Sequence, residues 1–175
     1  MIDYLSSEIS SYWHILWVLL KTPFLHSSLI WGIVPLYFGW LLNEFTSDKR
    51  SFNTAIQTGF SFLWAGLHWS QIYFQKGGDL SLIFRNGLPT ITIMVTVLVL
   101  VIGAMGFISG IRKKYPKYCS FLGHARFANY FMITIFAMQS NYLAWTWDRL
   151  IAIVGFAAPV WIVVHFIFKP LRWKA

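Results

Sequence analysis

Two stretches of this chain, residues 88–111 and 150–168, contain no Asp, Glu, Lys or Arg. About 20 apolar residues in a helix cross a hydrocarbon core of roughly 30 Å. A soluble fold would have to cover both stretches on every side. The composition says that it does not: the chain is 57% hydrophobic and 11% charged, against about 25% charged in an ordinary soluble domain. The expectation is a polytopic integral membrane protein with one membrane domain over residues 1–175.

Lipid offers no partner for a free backbone N–H or C=O, so spanning segments are helices or closed barrels. Five apolar segments do not suggest a barrel, and the fold class expected is all-α. The spans are predicted at about 25–43, 53–73, 88–111, 127–146 and 150–168. Short loops make sequential helices antiparallel neighbours.

A shorter apolar run precedes them. In residues 4–21, Tyr12, Trp13, Trp17 and Leu20 fall near one helical face, with Glu8 and Ser11 nearby. This pattern predicts an N-terminal interfacial amphipathic helix, ended by Pro23, which lacks a backbone donor. Asp3 and Glu8 stand where a cleavable signal would carry basic residues, so the segment is expected to stay in the mature protein.

Ten of the 14 basic residues fall on one side of these spans: Lys49, Arg50, Arg112, Lys113, Lys114, Lys117, Arg126, Lys169, Arg172 and Lys174. Lys21, Lys76, Arg85 and Arg149 fall on the other. The positive-inside rule then predicts N-out/C-in. The small size and compact loops suggest a prokaryotic plasma membrane. The net charge of +8 flanks apolar runs, so anionic headgroups on the cytoplasmic side are the expected partner, and nucleic acid is not. Within the basic loop, Arg112, Lys113, Lys114, Lys117, His124 and Arg126 are the candidate headgroup contacts.

The polar residues inside the spans are the candidate site. Asn53, Gln57, Ser61, His68 and Gln71 recur at helical intervals and form one stripe of span two. Gln139 and Asn141 sit in the outer half of span four, and Arg149 lies at the outer turn. A crevice lined by His68, Gln71, Gln139, Asn141 and Arg149, continued by Gln57 and Ser61, would bind a polar ligand; the bland alternative is interhelical hydrogen bonding. Pro35 in span one and Pro159 in span five are expected to kink their helices. Gly103, Gly106 and Gly110 give span three a small-residue face for close helix packing, inside the chain or with another subunit. Glu44 is placed to pair with Lys49, Arg50 or Arg126.

Several chemistries are unsupported. One cysteine, Cys119, excludes an internal disulfide and a Cys-ligated cluster. His68 and His165 differ in depth by roughly 15–20 Å, too far to share one haem iron. Motifs such as HExxH, GxSxG or a phosphate loop are missing. No catalytic residue, cofactor or metal is therefore expected. The leading expectation is a non-catalytic small subunit or assembly component of a membrane complex, or a homo-oligomer. The alternatives are a small transporter or channel using the span-two stripe, and a membrane-embedded lipid-modifying or redox enzyme.

Overall fold

The computed structural model describes residues 2–45, 52–75, 87–115, 117, 119 and 126–171. Among these residues all regular structure is helical. The helices are α1 (Ile2–Leu25), α2 (Ser27–Phe45), α3 (Phe52–Gln75), α4 (Gly87–Ile111), α5 (Arg126–Gln139) and α6 (Trp147–Phe168). Two of them, α6 and the Ile91–Ile111 part of α4, are long and apolar enough to cross a membrane. The α1–α2 pair makes a third if it is taken as one bent span.

That is fewer than the five expected, for physical reasons. α3 has 24 residues, but its stripe of Asn, Gln, Ser and His dilutes its apolar character. α5 has 14 residues, a rise of only about 21 Å. Its expected end near residue 146 comes early because Asn141 adopts a left-handed conformation, φ 55°. The Tyr142 N–H then reaches back to Ala137 O at 3.1 Å and the Asn141 N–H to Met138 O at 3.0 Å. This double closure is the Schellman stop, with Asn in the position glycine usually fills. The chain re-enters a helix as soon as Thr146 caps α6, accepting from the Arg149 N–H at 3.4 Å.

α1 also departs from expectation. It runs through Pro23 to Leu25, and the turn comes at His26, where α1 and α2 meet at 112°. Leu16 and Leu19 are buried against the bundle, and α1 packs on α5 and α6. Trp13 and Trp17 stay about half exposed. One face of α1 is therefore fixed on protein, while the tryptophan face looks outward.

The prolines inside α2 and α6 are both accommodated. Pro35 cannot donate to Trp31 O, four residues back. The Trp64 indole N–H of α3 donates to that carbonyl instead, at 2.7 Å. Trp64→Phe is expected to lose about 1 kcal/mol, the typical net value of such a bond, read from unfolding in mixed detergent micelles. In α6 a π turn, Ile153–Ala157, directly precedes the segment carrying Pro159. The wider turn relieves the clash with the carbonyl of Gly155 that a proline would otherwise cause.

α3 and α4 form the tightest pair. A methyl on Gly59 would lie 2.5 Å from the Phe107 backbone nitrogen, and one on Gly103 would lie 2.8 Å from that of Leu63. Gly110 is as close to Phe52 O and Ile56, and the carbonyl carbon of Gly106 lies 3.0 Å from the Gly59 Cβ position. The small-residue face of α4 thus meets α3 of the same chain. α4 packs mainly on α3, leaving Met94, Val97, Leu98, Val101, Met105 and Ile108 exposed. The buried core lies on the other side of α3, where Leu16, Leu19, Leu29, Ile33, Leu36, Trp69, Ile133 and Phe136 converge.

Candidate functional site: two buried polar stations around Phe136

α2, α3 and α5 meet along small residues of α2. A side chain on Gly39 would collide with Ser61 Oγ at 2.1 Å and touch Asn129 Nδ2 at 3.8 Å. A side chain on Gly32 would collide with the His68 ring, whose Cδ2 is 2.1 Å away. The two glycines admit two polar side chains of α3 into the interior, seven residues apart and hence on one helix face.

The first station lies at the Gly39 level. Ser61 donates to Gln57 O at 2.9 Å, with Pro35 O at 3.3 Å. Asn43 Nδ2 donates to Thr58 Oγ1 at 3.1 Å. Asn129 is completely buried, and neither its amide nitrogen nor its oxygen has a hydrogen-bond partner. Gln57 Oε1 and the Tyr130 hydroxyl are also buried without a partner. Nearer the end of α2, the fully buried Glu44 carboxylate accepts from His165 Nδ1 at 3.0 Å. The expected pairing of Glu44 with Lys49, Arg50 or Arg126 falls on side chains outside the described residues.

The second station lies at the Gly32 level. His68 stacks on Phe136, with ring centroids 5.9 Å apart and planes within 14°. Its Nε2 is buried without a partner. One helical turn past Phe136, Gln139 is 1% exposed, and both its amide atoms lack partners. The next residue, Ser140, is wholly buried. Asn129 and Gln139 are separated by about 15 Å along α5, with the fully buried Phe136 between them.

An unmade bond to a buried amide costs about 1–3 kcal/mol. Two buried amides with all their atoms unpartnered are therefore costly for packing alone. A solute carrying both donor and acceptor would satisfy either one.

The sequence-predicted crevice is divided. His68 and Gln139 flank Phe136, and Ser61 and Gln57 belong to the first station. Gln71, Asn141 and Asn53 are exposed, and Asn141 serves as the helix stop. Arg149 is half-buried and donates to Ala144 O. In the basic loop Arg112, Lys113, Lys114 and Lys117 are exposed. Lys113, φ 50°, ends α4 with the same double closure: the Lys114 N–H bonds Ser109 O and the Lys113 N–H bonds Gly110 O. His124 and the side chain of Arg126 lie outside the described residues. Among the described residues, no three His, Cys, Asp or Glu side chains converge to hold a metal ion.

No family model, curated protein or solved structure matches this chain. The functional reading therefore rests on the site itself.

Asn129, Asn43 and the Glu44–His165 pair were not singled out as a site from sequence. The signal available was weak but physical. Asn43 and Glu44 interrupt an apolar helix at its end, and Asn129 stands alone on an otherwise apolar face of α5. Polar residues in such a setting are expected to face protein rather than lipid.

Proposed function

We propose that the protein is a multi-pass integral membrane protein that passes a small, uncharged, hydrogen-bonding solute along the α2–α3–α5 interface. The observation that carries the reading is the pair of buried amides, Asn129 and Gln139, unpartnered on either side of Phe136. Each amide offers donors and acceptors at a low-dielectric depth, where an unpaired group is costly. Phe136 divides the path into two stations, so a solute exchanges partners at each step and the ring acts as the barrier between them.

In this reading α2, α3, α4, α5 with its extension to Thr146, and α6 are the five spans, with α1 oblique at the outer face. The basic residues set the chain N-out/C-in. Its size and compact loops favour a prokaryotic plasma membrane.

The test is stopped-flow light scattering of proteoliposomes challenged with urea, formamide and glycerol. Flux well above protein-free liposomes is expected for at least one of them. Asn129→Leu and Gln139→Leu should each lower it about tenfold, the equivalent of one hydrogen bond worth about 1.4 kcal/mol. Phe136→Ala should raise it. An unmutated protein that leaves all three permeabilities at the lipid background would sink the proposal.

A second reading keeps the chain as a non-catalytic subunit of a membrane complex or a homo-oligomer. The exposed apolar stripe of α4 favours it. The glycine motif no longer supports it, because Gly103 and Gly110 already face α3. Mass spectrometry in native nanodiscs separates the two: stoichiometric foreign subunits favour this reading.

A further inference from the structure

We infer that the groove between α4 and the α5–α6 corner is a binding site for one phospholipid, with an acyl chain in the groove and the headgroup at Arg149. The inference requires only that the chain lie in a bilayer, and it is independent of the solute path around Phe136.

Because α4 packs mainly on α3, it stands away from α5 and leaves a groove of about 590 Å³. Phe62 forms part of its lining, with Val95 and Val99 on α4 and Met132 and Ile135 on α5. Cavities that enclose small organic ligands span roughly 300–1,000 Å³, so the space is large enough for a hydrocarbon chain. The lining is apolar until it reaches the segment Trp145, Thr146 and Trp147, where the polar groups gather.

That segment has the charge pattern of a zwitterionic headgroup in reverse. Thr146 caps the N-terminus of the 22-residue α6, and helix N-termini favour phosphate. Arg149 in the first turn uses one guanidinium N–H on Ala144 O, leaving the others for phosphate oxygens. Asp148, exposed beside it, supplies a carboxylate for an ammonium group. Trp147, 80% exposed, presents a ring face of the kind quaternary ammonium groups bind. Trp145 lines the groove within this segment. A partner's apolar helix would fill the groove, but it would offer no phosphate to Arg149 and the helix N-terminus.

The test uses a phosphatidylcholine with a diazirine in its acyl chain, photolysed with the intact protein in nanodiscs, and adducts located by mass spectrometry. Adducts are expected to concentrate on Val95, Val99, Met132 and Ile135. Arg149→Gln should lower the yield at those positions about tenfold while leaving adducts at Val101 and Ile162 unchanged. Ala128→Phe, which narrows the groove, should lower it too. Adducts spread evenly over Val101, Met105 and Ile162 would mean ordinary lipid contact and overturn the site. So would a foreign polypeptide crosslinked in native membranes at Val95 or Met132. If Arg149→Gln leaves the groove adducts unchanged, the headgroup assignment fails even where the chain binds.

Discussion

A single methyl group added at Gly59 is expected to force α4 and α3 apart at large cost in stability. The Cβ would sit 2.5 Å from the Phe107 nitrogen and 2.8 Å from Gly103 O. Both are backbone atoms of a continuous helix, so no rotamer change can make room. Overpacking costs about 1–3 kcal/mol when side chains can yield, and here the whole helix must move. Gly59→Ala should therefore lose about 3 kcal/mol or more, and Gly59→Leu should leave α4 unpacked. Gly155→Ala is the matched control. No heavy atom outside its own helix lies within 4 Å of that Cβ position, and the lower entropy of the unfolded chain favours alanine by about 0.4–1 kcal/mol. Unfolding in mixed micelles measures both. A Gly59→Ala protein as stable as the parent would show that the two helices do not pack at this distance.

The contrast between those glycines explains how much of this molecule was legible in advance. Hydropathy exposed α4 and α6 because each is a continuous apolar run, and a run needs no partner to be recognised. The helical class followed from the same physics. What sequence could not supply was which faces meet. Gly32 and Gly39 have no visible role until His68 and Ser61 are seen to occupy the space that their missing side chains leave. Trp64, in the middle of span two, has no visible role until its N–H is found on the carbonyl that Pro35 leaves free. Asn141 looked like a ligand-binding residue within an apolar run, whereas its left-handed backbone ends α5. His68 and Gln139 were both picked out by their polarity in apolar helices. Asn129 was not, since its importance depends on the neighbours that fail to pair with it.

Removal of the Glu44 carboxylate should have the second large effect. Glu44 is wholly buried, and its partner His165 retains only 23% of its side-chain exposure. A paired, buried carboxylate adds little net stability relative to apolar residues of the same shape, because desolvation offsets the Coulomb attraction. Breaking one side of the pair is different. Glu44→Ala leaves a cavity where α2 meets α6 and deprives His165 Nδ1 of its acceptor. The expected loss is about 3 kcal/mol, the lower end for buried pairs, because His165 keeps some contact with its surroundings. Glu44→Gln preserves shape and an acceptor and should lose less. The paired replacement Glu44→Leu with His165→Leu should recover part of the deficit, since it removes both members of this contact at once. A double-mutant cycle isolates the coupling. If Glu44→Ala with His165→Ala loses as much as the two single changes added together, the carboxylate and the imidazole do not stabilise each other, and the contact at 3.0 Å has no energetic consequence for holding α6 against α2.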